Sequence, residues 1–561
     1  MYIRRNSLRF ISVVLSIIFA LAFFSFRLVF IQIFRSQHLE KLAKRQHNHS
    51  IEIEPIRGTI YDRKGRPLAL NIAAYSLYAN PRQMSEDDKK KAIAELPRVL
   101  GLPPAFLKER LSRDKFFVWI QRKMPLSVSE EIRALKINGL GFIRESKRHY
   151  PNNYLAAHVI GFAGIDGHGL EGLELQFDEY LRGESGWMKI VRDARQRDLM
   201  MDLGFIPPKD GFHIVLTLDE TIQFIAEEAL DKAFAQHKAL SATIIVMNPK
   251  TGEILALANR PTYELSNPGG SDEASRTNRA IAHVYEPGSV FKIVAATAAL
   301  EENVFKEEDV IFCENGTYKV GNHILHDHGS HGKLSFRQVI EQSSNIGTTK
   351  VAQKMGAEVF YKYAQRFRFG QLTGIDLKGE VGGVLKHPSR WSATTIGALP
   401  IGHEVTVTPL QLVCAMSAVA NGGVYMKPFV VKYITDHKEM VIREFQPEAI
   451  DRVMTPETCE RLKKILQGAV ESGTGKRARI KGVSVAGKTG TSQKVVGGQY
   501  SHDKYFASFI GFAPVEDPKI AVVVMFDEPH PSYFGGTVAA PVFQEVAVDA
   551  LKYIEAIEQG L

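Results

Sequence analysis

Cysteine is scarce in this chain of 561 residues. The three present, Cys313, Cys414 and Cys459, are odd in number and far apart, which excludes a disulfide framework and a cysteine-based metal spacing. Cys414 lies in an apolar helical run and reads as core. Charge of one sign is also undeveloped. Lysine and arginine number 70 against 62 acids, a formal net charge of +8. The excess is dispersed, with no basic block and no basic–aromatic interleaving, so a nucleic-acid partner is not expected. No metal-ligand spacing or cofactor motif stands out, and neither a metal nor a cofactor is expected. What is present is enough apolar sequence, 45% of the residues, to fill more than one core in a chain too long for one ordinary domain.

One hydrophobic run is long. From Phe10 to Phe34 the chain is almost wholly apolar, enough to cross a bilayer as a single helix. Arg27 and Gln32 interrupt its distal end and fit an interface. Ala20-Leu-Ala22 resembles a cleavage site, but Phe23-Phe-Ser-Phe26 continues the run, so an uncleaved anchor is expected. Arg4, Arg5 and Arg9 on one flank are matched by Arg35, Lys41, Lys44 and Arg45 on the other, and charge alone leaves the orientation open. The working topology is a cytoplasmic tail over residues 1–9, a transmembrane anchor over 10–34 and a large part outside the cytoplasm. Leu39 to Arg45 reads as a short helical extension of the anchor.

Three short motifs follow in order: Ser289-Val-Phe-Lys292, Ser343-Ser344-Asn345 and Lys488-Thr489-Gly490-Thr491. Each is weak alone, and Ser501-His-Asp-Lys504 matches the first pattern as well. Their order and local context carry the weight. Glu286-Pro287-Gly288 precedes a helical run from Ser289 to Leu300, and proline suits a first helical turn. Ser289 at that helix start would have free backbone N–H groups nearby for an oxyanion. Lys292 lies one turn on, on the same face. With an ordinary pKa of about 10.4 a lysine is a poor base at neutral pH, but burial and a second cation such as Lys488 favour the neutral amine. The plainer alternative makes Ser289 an N-cap and Lys292 a solvated side chain. Ser343 and Asn345, in a helix-to-loop segment, suit proton relay and hydrogen bonding to Lys292 or a substrate backbone. Lys488, Thr489, Gly490 and Thr491 follow a strand-like Val483–Gly487. They suit a carboxylate pocket beside a strand edge on which a peptide can lie.

Periodicity places the rest. Arg57-Gly58…Asp62-Arg63-Lys-Gly65 reads as strand plus turn, with Arg57 and Asp62 a possible structural pair. Gly164 to Glu174 is turn-rich, and His168 there reads as a loop residue. Ile222 to Phe234 has one apolar helical face, and Ala242–Met247 with Glu253–Ala258 reads as a hairpin. Further strands are expected at Tyr505–Phe512 and Ile520–Phe526, with a closing helix after Pro541. The fold class is multi-domain α+β, with an antiparallel sheet flanked by helices.

The three motifs together resemble those of penicillin-binding proteins and class A β-lactamases. With the anchor, the Arg57–Gly65 segment and the glycine-rich piece at 164–174, the whole chain resembles a class B penicillin-binding protein. Tyr285-Glu-Pro-Gly-Ser289, Gly402-His-Glu…Thr408-Pro409…Gln411, Ala420-Asn-Gly-Gly423, Phe509…Pro514 and Gly536…Phe543 resemble the division-specific, septal branch; the elongation branch usually has Pro-Pro-Gly before the serine. The resemblance implies an N-terminal pedestal of dimerisation type over 35–215, a transpeptidase domain over 216–556 and a short tail over 557–561. It also implies a cytoplasmic-membrane enzyme with its catalytic domain outside.

In that family's terms, Ser289 attacks a D-Ala-D-Ala stem peptide and Lys292 is the general base. Ser343 and Asn345 assist, and Lys488, Thr489, Gly490 and Thr491 bind the donor's carboxylate end. The Ser289 and Thr491 backbone N–H groups form the oxyanion hole, and β-lactams mimic the donor. A polytopic membrane glycosyltransferase and other divisome proteins are the implied partners. Three rivals remain: a β-lactamase, a β-lactam sensor or scaffold, and an elongation transpeptidase. Against class A hydrolysis stands the lack of a Glu-x-x-x-Asn segment, since Ser417 occupies the glutamate's place before Asn421. Which group deprotonates Ser289 is left open.

Overall fold

The computed structural model describes residues 2–30, 48–192, 198–199, 205–321 and 323–560. The expected Leu39–Arg45 extension, the basic flank from Arg35 and the last residues of the apolar run lie outside the described residues. Tyr2–Val29 forms one helix of 28 residues. Ile11, Leu15, Phe19, Phe24 and Phe26 on it are exposed. Among the described residues no helix is long and apolar enough to cross a membrane; the described part of the expected span stops at Phe30.

Two compact units divide the chain, Met1–Ile56 with Gly183–Asp210, and Arg57–Arg182 with Gly211–Leu561. In the first, strand Asn48–Ile53 pairs antiparallel with Gly186–Arg192, which also pairs with the short strands Asp198–Leu199 and Phe205–Ile206.

The second unit begins with the expected strand and turn: Ile60–Tyr61 turns back at Gly65, φ +80°, into Pro67–Ala79. Pro67–Ala79 pairs with Val118–Met124 and with Leu140–His149. Helices Glu86–Leu100, Pro104–Leu111 and Leu126–Ala134 supply Leu96, Leu107 and Ile132 to a core with Leu77 and Ile120 of the sheet. Arg57 and Asp62 do not pair with each other. Arg57 is buried and bridges Glu174 and Asp178, each at 2.6 Å, while Asp62 holds Arg66 at 2.6 Å. The strand Ile60–Tyr61 separates Arg57 from Asp62, and each finds its partner elsewhere in the unit.

The part from Glu220 onward is built around a five-stranded antiparallel sheet. Helix α1 (Glu220–His237), capped by the Asp219 carboxylate on the Thr221 and Ile222 N–H groups, leads into strand β1 (Ser241–Met247) and strand β2 (Ile254–Arg260). Helices α2 (Lys292–Glu301), α3 (Asn345–Met355) and α4 (Pro409–Ala420) follow. Strands β3 (Ala486–Val496), β4 (Gln499–Ala513) and β5 (Ile520–Asp527) and helix α5 (Gly535–Glu558) close the chain. The order is β2-β1-β5-β4-β3, antiparallel throughout. Alternate residues of the buried strands face opposite sides. Ile244, Val246 and Val524 join α1 and α5 in one core, and Ile245, Met247 and Val523 join α2, α3 and α4 in the other. Cys414 is buried in α4.

Several boundaries differ from the sequence reading: strand β4, expected from Tyr505, already starts at Gln499. Strand β3 includes the Lys488–Thr491 motif instead of ending before it. Helix α5 starts six residues before Pro541, which lies inside it. Its start is set by a close approach: a Cβ on Gly535 would stand 2.2 Å from the Gly490 carbonyl oxygen, so glycine lets the helix head meet strand β3.

Candidate active site

Ser289 sits in a single 3-10 turn, Gly288–Phe291, that runs directly into α2. Pro287 stands before that turn as its cap residue rather than inside a helical turn. Gly288 has φ +57°, and a Cβ there would lie 2.9 Å from the Thr491 carbonyl oxygen. A Cβ on Gly402 would lie 2.1 Å from the Gly288 oxygen. The serine turn is therefore wedged between strand β3 and the loop at Gly402. The Ser289 and Thr491 N–H groups belong to two segments in contact.

Lys292 and Lys488 are fully buried and converge on one hydroxyl. Lys292 Nζ donates to the Ser343 carbonyl oxygen at 2.6 Å and to Asn345 Oδ1 at 2.8 Å, and lies 3.2 Å from Ser343 Oγ. Lys488 Nζ donates to Ser343 Oγ at 2.8 Å and to its neighbour's carbonyl, Thr489 O, at 3.3 Å. Burial drives the Lys292 ammonium well below its ordinary pKa, and the Lys488 charge drives it further. Burial also pushes Lys488 down, to about 7. A neutral Lys292 has two N–H donors, and Ser343 O and Asn345 Oδ1 consume them. Its lone pair is then left to accept a hydroxyl proton. Among the described residues Ser289 Oγ has no hydrogen bond to Lys292. A base often closes on its nucleophile only when substrate is bound.

Ser343 occupies the left-handed region at φ +61°, costly for a residue with a side chain and held by its surroundings. Its N–H donates to Ile340 O, and α3 begins two residues later. Asp327, which no sequence pattern singled out, fixes that helix head. Its carboxylate accepts from Ser344 Oγ at 2.6 Å, from Asn345 N at 2.5 Å and from Ile346 N at 3.0 Å. Asn345 Nδ2 donates to the His326 carbonyl at 2.9 Å.

Strand β3 is an edge of the sheet, paired with β4. Thr489 and Thr491 alternate with Lys488 and Gly490 along it. The Thr491 hydroxyl oxygen accepts the Gly535 N–H at 3.0 Å, at the head of α5. With that acceptor position filled, the hydroxyl hydrogen is free to point at an anion, and the positive end of α5 lies behind it. Thr489 and Thr474 share a hydrogen bond at 2.7 Å. Thr474 was missed in the sequence; a Gly-Thr-Gly turn after helix Pro456–Glu471 was its only local sign. Gly490 is required by space, since a Cβ would meet Ser508 Oγ at 2.4 Å and the Pro287 oxygen at 3.0 Å.

Glu286, three residues before the serine, ties the flanking loop in place. Its carboxylate accepts the Glu404 N–H at 3.0 Å and meets His403 Nδ1 at 2.8 Å and the Tyr500 hydroxyl at 3.3 Å. The Ser501–Lys504 match lies apart, on β4, where Lys504 pairs with Glu528 at 3.4 Å. Among the described residues no cluster of His, Cys, Asp or Glu fits a metal ion.

A site with a hydroxyl nucleophile, a buried amine and a carboxylate pocket is equipped for acyl transfer. The penicillin binding protein transpeptidase domain matches residues 242–547, and the penicillin-binding protein dimerisation domain matches residues 52–216. Stage V sporulation protein D of Bacillus subtilis is 36% identical over 534 residues, 94% of this chain and 82% of that protein. Peptidoglycan D,D-transpeptidase FtsI of Escherichia coli K12 is 32% identical over 546 residues, 96% of this chain and 90% of that protein. The crystal structure of penicillin binding protein 3 from Mycobacterium tuberculosis complexed with ampicillin superposes with a TM-score of 0.70 at 28% identity, covering 90% of this chain and 96% of that one. The chain belongs to the class B penicillin-binding proteins, enzymes that join a dimerisation domain to a transpeptidase domain.

Proposed function

We propose that the protein crosslinks peptidoglycan stem peptides through a serine acyl-enzyme formed on Ser289, and that it does so in septal wall synthesis. The observation that carries the chemistry is the convergence of two buried lysines, both held below their ordinary pKa, on Ser343 Oγ. Neutral Lys292 takes the Ser289 proton as Oγ attacks the carbonyl carbon of the penultimate D-Ala of a D-Ala-D-Ala donor. The Ser289 and Thr491 N–H groups hold the resulting oxyanion. Ser343, between the two lysines, passes a proton to the departing amine while Asn345 orients Lys292 and the substrate. The C–N bond breaks, D-Ala leaves and an ester on Ser289 remains. An amine of a neighbouring stem then attacks the ester, forms the crosslink and returns the proton to the serine. Lys488, Thr489 and Thr491 bind the donor's terminal carboxylate along strand β3, and Gly490 lets the peptide lie close. A β-lactam, which presents the same carbonyl and carboxylate, acylates Ser289 in the donor's place.

The septal assignment rests on the Glu286–Ser289 and Gly402–Gln411 segments, which meet through the Glu286 carboxylate, and on the similarity to FtsI. The similarity to a stage V sporulation protein favours a second setting, spore-wall synthesis, with the same chemistry. We place residues 10–34 in the cytoplasmic membrane as the single anchor. The pedestal over 35–215 and the transpeptidase domain over 216–556 then lie outside the cytoplasm, with a polytopic glycosyltransferase and other divisome proteins as partners. The apolar side chains exposed at Ile11, Leu15, Phe19, Phe24 and Phe26 support the anchor.

The test is labelling of the full chain with a fluorescent penicillin beside Ser289→Ala, followed by a chase. Stable label on the wild type and none on the variant is expected. Rapid loss of label would turn the reading toward a β-lactamase, and label on neither protein would turn it toward a scaffold. Depletion is expected to give filaments; rounded cells would mean elongation, and loss of spores alone would mean the sporulation setting.

A further inference from the structure

Asp327 belongs to none of the three motifs, yet it touches the second of them at two points and the residue after it at a third. It follows the hairpin Thr317–Val320/His323–His326 and accepts hydrogen bonds from Ser344 Oγ, Asn345 N and Ile346 N. Asn345 is gripped from a second side by its bond to the His326 carbonyl, and it presents Oδ1 to Lys292 Nζ at 2.8 Å. A chain of direct contacts thus runs from the Asp327 carboxylate through Asn345 to the buried amine.

Three titratable groups face that amine. Lys488 faces it from strand β3, and Asp327 from the loop after the hairpin. His328, beside Asp327, has its ring against Phe534 at the head of α5 and is held neutral by burial and by the two lysines. Among the described residues Asp327 is the carboxylate whose charge acts on Lys292. Its sign opposes the effects of burial and of Lys488.

We propose that Asp327 is a positioning residue for acylation: it fixes Asn345 against the Lys292 amine, and its negative charge offsets the positive charge of Lys488 beside that amine. The inference rests on the Ser289–Lys292 reading above. Its chemical sense is that a general base must be free yet strong. Burial and Lys488 free the amine but weaken it, and Asp327 restores part of its basicity.

The experiment is the pH dependence of acylation by the fluorescent penicillin, measured on the full chain for wild type, Asp327→Asn and Ser344→Ala. Asn at 327 keeps an oxygen for the Asn345 and Ile346 N–H groups and deletes the charge. Its acidic limb should move to lower pH by about 1 unit, with a plateau several-fold below wild type. Ser344→Ala removes two bonds at the helix head, to the Asp327 carboxylate and from the Gly347 N–H, and keeps the charge, so its plateau should fall while its limb stays. An unmoved limb in Asp327→Asn, or a limb in Ser344→Ala that moves as far, overturns the proposal. Should Asp327→Asn fail to fold, Asp327→Glu keeps the charge on a longer arm. An unmoved limb with a lower plateau is then expected, and a shifted limb or a wild-type plateau overturns it. Failure of the underlying reading looks different: the wild type is not labelled, or Ser289→Ala is.

Discussion

Lys292 and Lys488 share one neighbour, Ser343 Oγ, but the proposed chemistry asks opposite charge states of them. Lys292 must be neutral to take a proton, and Lys488 must be charged to hold a carboxylate. Acylation therefore rises with pH as Lys292 loses its proton and falls as Lys488 loses its own. For a donor with a free carboxylate, the alkaline limb of kcat/KM should lie near the free-enzyme value of Lys488, about 7. A bound carboxylate stabilises the Lys488 ammonium, so the alkaline limb of kcat should lie higher. Steady-state profiles of both parameters check this, and coincident limbs would count against Lys488 as the carboxylate ligand. Lys292→Arg places a permanent cation where the base stands. Acylation should fall by about 10²–10⁴-fold, the usual contribution of a general base, while folding persists; the labelling rate and the melting curve read the two separately. The motif residues were legible because each type has a narrow chemistry and each motif is short. Asp327 and Thr474 were not, since their partners, Ser344 and Thr489, lie 17 and 15 residues away in chain but in other elements.

Elements carry the next constraint, and strand β3 is the clearest case. It packs its Gly490 against Ser508 of β4 and against Pro287 and Val290 at the serine turn. In Gly490→Ala the new methyl would meet Ser508 Oγ at 2.4 Å, so the strand must move away from Ser289. Overpacking of this kind costs about 1–3 kcal/mol, and displacing the carboxylate pocket by a fraction of an ångström to an ångström should slow acylation by about 10²-fold. Labelling rates and thermal midpoints, with Gly269→Ala as the control, test it; nothing stands within 4 Å of a Cβ on Gly269. Equal effects at both glycines would refute the steric account. At this scale the sequence was a good guide to the hairpin β1–β2, to α1 and to β5, whose apolar periods and turn residues are local. It misplaced the starts of β3, β4 and α5. A strand edge and a helix head that meet at Gly490 and Gly535 are set by contact between elements distant in the chain.

At the scale of the whole molecule, one buried histidine couples the piece before the catalytic half to the half itself. His158 Nε2 donates to the Ser275 carbonyl oxygen, 2.8 Å away, and the ring packs edge-on against Tyr263. Burial, with the Arg260 and Arg279 charges, lowers its pKa from 6.5 to about 4. The unfolded chain therefore binds a proton at His158 between those values when the folded chain does not. Stability is unpenalised above pH 6.5 and is lost as pH falls toward 4, by about 3 kcal/mol from this residue. Denaturant titrations of wild type and His158→Asn across that window should show a steeper acid loss in the wild type. Parallel curves would remove His158 from the account. A second prediction belongs to the same scale: deleting residues 1–39 should release the protein from membranes and leave penicillin labelling intact, checked by fractionation; continued membrane binding would place the anchor elsewhere.

The sequence alone determined the order and identity of the three motifs, the apolar run from Phe10 to Phe34 and most strands and helices. These depend on neighbours in the chain and on its repeat of 3.6 or 2 residues. The tertiary structure decided that Lys292 and Lys488 meet at Ser343 Oγ, that Gly535 occupies one side of the Thr491 hydroxyl, and that Asp327 holds the head of α3. Charge state and hydrogen-bond direction follow from burial and from partners brought in by packing, which is why the chemistry of these residues became definite only when the sheet and its helices enclosed them.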